Sequence, residues 1–308
     1  MYIRTIIVTG VIAALGVTSV RAQEPTDPVR PTFRSAADVV TINASVRDAR
    51  GRLVGNLEAA DFEVRDNGQL RPILSMRSDQ HSPISLAILV DMSGSMRVGP
   101  KASMARQAYA SVLSQLRDGQ DEVALFTFDA ELHQRQGFTS QLAVVNEGLA
   151  DFAPFGTTSL YDAVAETARQ LAARSGTNRA IIVLTDGVDT SSAMTAPQVS
   201  GLASSIGVPV YVVATVPSVD QRQMMETDGR SGSDGADLRD LAQWTGGQFV
   251  FATTFGETAL AASNLIAELR QTYVLAIEAA SDREWRRLDV RVRRPSAVVK
   301  ARTGYFGG

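Results

Sequence analysis

The chain is 308 residues long, with 44% apolar residues and a formal net charge of −3. This is enough material for one large domain or two modest ones around a sizeable core. So small a net charge gives no global field for gathering nucleic acid or an anionic membrane surface, which excludes bulk electrostatics as the source of partner choice. The absence of cysteine excludes disulfides and a lipid-accepting thiol, so stability rests on packing, with a bound metal as the further device.

Residues 1–22 read as a cleavable export signal: Arg4 lies in a short basic start, residues 5–17 are mostly apolar, and Val20-Arg21-Ala22 ends in small residues. A secreted or periplasmic protein with a mature start near Gln23 follows from this. No later stretch offers about 18 continuous apolar residues, so no membrane span is expected in the mature chain. Residues 23–37, with Pro25, Pro28 and Pro31, read as a flexible leader. Residues 38–80 form a β-rich segment: Val39, Val40, Ile42 and Val46 precede a turn at 48–51, and a short helical piece covers Glu58 to Phe62. Asn67-Gly68 then sits between two strand-like runs, a strong hairpin signal because both residues tolerate positive φ.

From 81 to 271 the pattern changes to apolar strands at 84–90, 122–128, 180–185 and 208–214. They alternate with helical spacing at 101–117, 141–151, 159–174, 197–206, 237–245 and 257–271. Such alternation predicts a Rossmann-like, doubly wound, mostly parallel sheet covered on both faces. The stretch 228–235 is glycine- and serine-rich and reads as a surface loop; Asp228, Asp234 and Asp237 do not have the spacing of a calcium loop. Residues 272–308 return to β pattern, with strands at 273–277 and 288–292. Their basic residues, Arg283, Arg286, Arg287, Arg291, Arg293, Arg294, Lys300 and Arg302, read as the solvated face of an edge strand protected by charge. The two terminal β pieces are each too small to stand alone. The expected solution is therefore one small β-sandwich, built from N- and C-terminal strands, in which the α/β unit is inserted or which flanks it.

Leu86-Ala87-Ile88-Leu89-Val90 runs straight into Asp91-Met92-Ser93-Gly94-Ser95. In an open α/β sheet, ligands bind outside the carboxyl ends of the strands, where this cluster falls. Two other segments arrive at equivalent places, Leu184-Thr185-Asp186-Gly187 and Gly156-Thr157-Thr158-Ser159. Taken singly, each residue is more often a cap, and Ser159 with Asp162 reads as a capping box for the next helix. Asp129 and Asp189 read as caps too. Jointly, Asp91, Ser93, Ser95, Thr158 and Asp186 supply two carboxylates and three hydroxyls, a hard oxygen set of the kind preferred by magnesium, calcium or manganese. A serine nucleophile would need a base, but the only histidines are His81, in the entry linker, and His133, on a short polar stretch. Neither a phosphate-binding loop nor a dinucleotide fingerprint is present.

Asp91-Met92-Ser93-Gly94-Ser95, Thr158 and Thr185-Asp186-Gly187 together resemble the metal-ion-dependent adhesion site of von Willebrand factor type A domains. The resemblance covers roughly residues 83–270, with Thr245-Gly246-Gly247 and Phe249 matching a late segment. The flanks, Val64 to Gly68, Tyr273 to Leu275 and Arg302 to Tyr305, resemble the bacterial, secreted, von Willebrand factor type A-related subgroup. The resemblance implies a divalent cation, magnesium before manganese or calcium, held by Ser93, Ser95 and Thr158, with Asp91 and Asp186 binding directly or through water. It also implies a partner protein whose Asp or Glu carboxylate completes the octahedron. The expected function is non-enzymatic protein binding without nucleic acid. The competing readings are a metal-dependent hydrolase of unknown substrate and a structural subunit of an envelope assembly.

Overall fold

The computed structural model of the chain describes residues 39–78, 82–146, 148–149, 154–174, 178–187, 189–205, 207–216, 234–282 and 284–306. The expected export signal, the proline-containing leader, His81, Arg283 and residues 228–233 lie outside the described residues. Asp234 and Gly235, placed in a loop by composition, instead begin a helix. Among the described residues no helix is long and apolar enough to cross a membrane.

Four strands come first: β1 (Val39–Arg47), β2 (Phe62–Asp66), β3 (Gln69–Arg71) and β4 (Ile73–Ser78). Asn67 and Gly68 join β2 to β3 with φ of 47° and 81°, the left-handed pair that a tight two-residue hairpin requires. The α/β unit follows with β5 (Ser85–Asp91), α1 (Lys101–Leu113), β6 (Glu122–Phe128), β7 (Leu132–Thr139), α2 (Leu142–Asn146) and α3 (Leu160–Ala172). It continues through β8 (Arg179–Thr185), α4 (Ala196–Ser205), β9 (Val210–Thr215), α5 (Asp234–Thr245), β10 (Phe249–Ala252) and α6 (Phe255–Arg270). Four strands close the chain: β11 (Tyr273–Glu278), β12 (Trp285–Val292), β13 (Val298–Ala301) and β14 (Gly304–Phe306).

The six-stranded sheet has the order β10-β9-β8-β5-β6-β7 and is parallel except for β7, which runs antiparallel beside β6. Every residue of β5 is buried because both faces of the sheet are covered. Leu86, Ile88 and Val90 pack with Met104 and Ala108 of α1 and with Leu265 and Ile266 of α6. On the other face, Ala87 and Leu89 pack with Val164 of α3, Val199 of α4 and Leu241 of α5. This is the expected doubly wound architecture. Strand β7 went unread in the sequence because it is polar and largely solvent-facing. Its ladder comes from the free edge of β6, which leaves no apolar period to detect.

The remaining strands form two four-stranded sheets, β13-β1-β11-β4 and β14-β12-β2-β3. Ile42, Val46, Phe62, Val64, Leu275, Leu288 and Tyr305 fill the core they share, and the Phe62 and Tyr273 rings meet at 5.4 Å. N- and C-terminal strands thus build the small sandwich that the sequence predicts. The entering strand β4 pairs with the leaving strand β11, Ser78 opposite Tyr273, so the α/β unit departs from and returns to neighbouring strands.

The C-terminal basic residues require a correction. β12 is not an edge, since β14 and β2 cover both its sides. Alternation puts Arg286 on the face of Leu288, where it is buried and donates to Asp66 at 2.7 Å. Arg302 is buried as well, and Lys300 meets Glu268 at 2.6 Å. Mixed charge on a short strand hides which arginine will find a buried carboxylate, because the partner comes from a distant strand.

Asp121 anchors the base of the α/β unit. Its fully buried carboxylate accepts from the backbone N–H of Ile84 at 3.0 Å and of Arg117 at 2.6 Å, and from the Arg270 guanidinium at 2.5 Å. Burial pushes its pKa up, but Arg270 and the two amides outweigh burial and hold it below the usual value. A carboxyl lowered on folding contributes stability that is present above its unfolded pKa and lost as pH falls through the folded one. We therefore expect Arg270→Ala to cost about 3 kcal/mol at pH 7, as when a buried pair loses one partner. The difference from wild type should shrink below about pH 4, read from urea unfolding curves at several pH values.

Candidate metal centre

The strand order places β5 between β6 and β8, and their successive chain directions diverge at the carboxyl end of β5. That crevice is the usual ligand position in an open parallel sheet. Asp91 is the last residue of β5 and fully buried. Its Oδ1 accepts from the Ser93 amide at 2.8 Å and its Oδ2 from the Thr185 hydroxyl at 2.5 Å. The first bond folds the 91–95 loop back on itself, and the second ties the end of β5 to the end of β8. Burial pushes the Asp91 carboxyl up to about 6, against the bonds from Thr185 and Ser93 and with a contribution from the negative charge of Asp186.

After Asp91, Gly94–Arg97 form a single 3-10 turn. Ser93 precedes it without a side-chain cap bond, so its hydroxyl is not spent on the helix. The Ser93 and Ser95 hydroxyl oxygens lie 3.0 Å apart. The third segment is clamped against this loop: the Phe155 amide donates to Met92 O at 2.6 Å, and the Gly94 amide donates to Gly156 O at 3.0 Å. Gly156 takes φ of +106° to make that turn, a conformation that favours glycine. Two residues on, Thr158 is buried, with its carbonyl accepting from the Thr190 and Ser191 amides at 2.9 and 3.0 Å.

Asp186 is buried at the end of β8. Its Oδ2 accepts from Lys101 Nζ at 3.1 Å, whereas its Oδ1, buried too, has no hydrogen-bond partner among the described residues. Such an orphaned carboxylate oxygen is costly unless something cationic or protic meets it. The donor types and this orphan fit a hard divalent cation. Among the described residues no hydrogen bond joins the Thr158 hydroxyl to the other four side chains, and no group of three or more His, Cys, Asp and Glu gathers as a metal cluster.

Residues 86–189 match the family model of the von Willebrand factor type A domain. That stretch is a von Willebrand factor type A domain by this match. Among solved structures, the domain is similar to proximal thread matrix protein 1 from the mussel byssus with a zinc-occupied MIDAS motif. Identity is 16% and the TM-score 0.51, over 66% of this chain and 49% of that one. It is also similar to the conserved hypothetical protein BatB from Bacteroides thetaiotaomicron, with 19% identity and a TM-score of 0.47 over 60% of this chain and 98% of that one. A von Willebrand factor type A protein from Catenulispora acidiphila is 14% identical with a TM-score of 0.48, over 89% of this chain and 76% of that one. This chain spans about half the length of the mussel protein. None of the curated proteins compared with the chain matches it.

Two readings of the surrounding residues change. Ser159 makes no side-chain cap bond to α3, and Asp162 accepts instead from the Ala193 and Met194 amides at 2.8 and 2.9 Å. The α3 amides of Leu160 and Tyr161 are met by Asp189 at 2.8 Å and Ser192 at 3.0 Å. The helix behind Thr158 in the von Willebrand factor type A domain is thus capped from the loop after β8, across 29 residues of sequence. The sequence also left Lys101 and the Thr185 hydroxyl unassigned. Only the adjacency of Thr185 to Asp186 offered a signal. His133, on β7, is half exposed and 3.6 Å from Asp129.

Thr185→Val keeps the volume but strands Asp91 Oδ2 and the Gly187 amide, which donates to Thr185 Oγ1 at 3.1 Å. A loss of about 1–3 kcal/mol is expected for unpaired buried polar groups, measurable by denaturant unfolding of the metal-free protein.

Proposed function

We propose that this protein is an exported, non-enzymatic binding protein whose von Willebrand factor type A domain grips a partner protein through a divalent cation held by Ser93, Ser95, Thr158, Asp91 and Asp186. The observation that carries the reading is the buried Asp186 Oδ1, without a partner among the described residues, at the strand end beside Asp91. The serine pair supports it. The Ser93 and Ser95 hydroxyls, 3.0 Å apart, bring two neutral oxygens together at that strand end, a hard donor set of the kind magnesium and manganese take. The zinc in the mussel protein's motif is consistent with a divalent ion in this kind of site.

When bound, the cation supplies an electrophilic point for an anionic ligand. The chain's own residues decide how much charge it keeps: three of the five side chains are neutral hydroxyls, so the ion retains attraction for an incoming Asp or Glu carboxylate. The rim fits a protein better than a small anion. Phe155 and Val98 are 76% and 64% exposed beside the two clamped loops, and the Phe155 backbone is pinned to Met92. A partner presenting an acidic side chain next to apolar groups would cover both.

Calorimetric titration with magnesium and manganese tests the centre. Wild type should bind one ion, Asp91→Ala should lose binding by at least an order of magnitude because one of two carboxylates is gone, and Thr158→Ala should weaken it. Equal binding by all three would defeat the proposal. Affinity capture from envelope extracts, with magnesium against chelator, should recover the partner only with the ion. Phe155→Ser should weaken capture while leaving metal affinity unchanged, which separates the rim from the centre.

A further inference from the structure

Lys101 is the first residue of α1, yet its ammonium lies 3.1 Å from Asp186 Oδ2, with side chains only 12% and 3% exposed. The start of a helix is its positive end, where a cation is disfavoured and an acidic residue is welcome; the first turn of α1 contains no acidic residue. The helix therefore gains nothing from lysine at this position. The contact with Asp186 is what holds it there.

The four carboxylate oxygens of the centre can be accounted for one by one among the described residues. Asp91 Oδ1 is taken by the Ser93 amide, Asp91 Oδ2 by Thr185, and Asp186 Oδ2 by Lys101. Asp186 Oδ1 is the one left over. Among the described residues Lys101 is the one cationic side chain that forms an ion pair with Asp186, and none forms an ion pair with Asp91. A divalent ion entering beside Asp186 would meet that ammonium at close range, and like charges in a poorly solvated crevice repel strongly. Lysine can yield: its charge is compact, strongly hydrated and carried on a flexible four-carbon stem, and Lys101 already has a route to solvent.

Resting on the divalent-cation reading above, we infer that Lys101 is a resident counter-cation of the centre. Its ammonium neutralises Asp186 in the metal-free protein and is displaced when the divalent ion enters. Lys101 thereby sets the metal affinity, keeping the metal-free form folded at the expense of tight binding. A monovalent ion, offering no gain in charge over the ammonium, would not displace it.

The test uses the full chain, stripped with chelator and then titrated with manganese, as wild type, Lys101→Met, Lys101→Gln and Asp91→Ala. Met keeps the length of the stem and deletes the charge; Gln keeps a polar group in case Met disturbs folding. Both Lys101 variants should bind manganese at least tenfold more tightly than wild type. Their metal-free forms should melt lower, and the rise in Tm on adding metal should exceed that of wild type. Unchanged or weaker manganese affinity in the Lys101 variants, with wild type binding and Asp91→Ala not, would overturn the role of Lys101 and leave the metal centre standing. Binding by the Lys101 variants alone would support it in the strongest form. Saturable binding by none of the four proteins would remove the metal reading itself, and this inference with it.

Discussion

The domain is organised around a buried carboxylate at the end of its central strand. Asp91 is out of water and is held on one oxygen by its own loop and on the other by Thr185 from the neighbouring strand. Burying a charge is tolerable only when its lone pairs are met, so these two bonds fix the ends of β5 and β8 relative to one another. The 154–158 loop is then clamped by backbone bonds to Met92 and Gly94, and Thr158 is carried to the same end of the sheet. The hydroxyls and carboxylates sit on strand ends and pinned loops rather than on a mobile lid, which keeps the reorganisation on binding small.

A second ionic node joins the α/β unit to the sandwich. Glu268, near the end of α6, is buried and accepts from Arg47 of β1 at 3.1 Å, Lys300 of β13 at 2.6 Å and Tyr211 of β9 at 3.2 Å. Burial pushes the Lys300 pKa down and the Arg47 charge adds to that, while Glu268 opposes both. The node is satisfied only if the two β sheets and the helix stand in one arrangement. The desolvation of such buried ion pairs offsets much of their attraction, so their net contribution to stability is small. They give the sandwich a rigid grip on the helix that follows the sixth strand of the large sheet.

Much of this is written in the chain. β5, β6, β8 and β9 lie where continuous apolar runs put them, because a strand covered on both faces needs apolar residues throughout. The Asn67-Gly68 turn announces its hairpin through the backbone freedom of those two residues. Asp91, Ser93 and Ser95, the donors proposed here, stand out in the sequence because they follow directly on the central strand. Thr158 and Asp186, proposed with them, stand out because each lies close to the start or end of a periodic segment.

The sequence by itself determined the period of each element and the kinds of oxygen at its ends, since both depend on neighbours a few residues away. Only the tertiary structure decided which charges meet: Lys101 with Asp186, Arg286 with Asp66, Asp189 with the start of α3, and Glu268 with three strands from two sheets. Those pairings follow strand order and crossover, which no local period encodes. Their strength depends on exclusion from water, a property that a residue acquires only when the rest of the chain has closed over it.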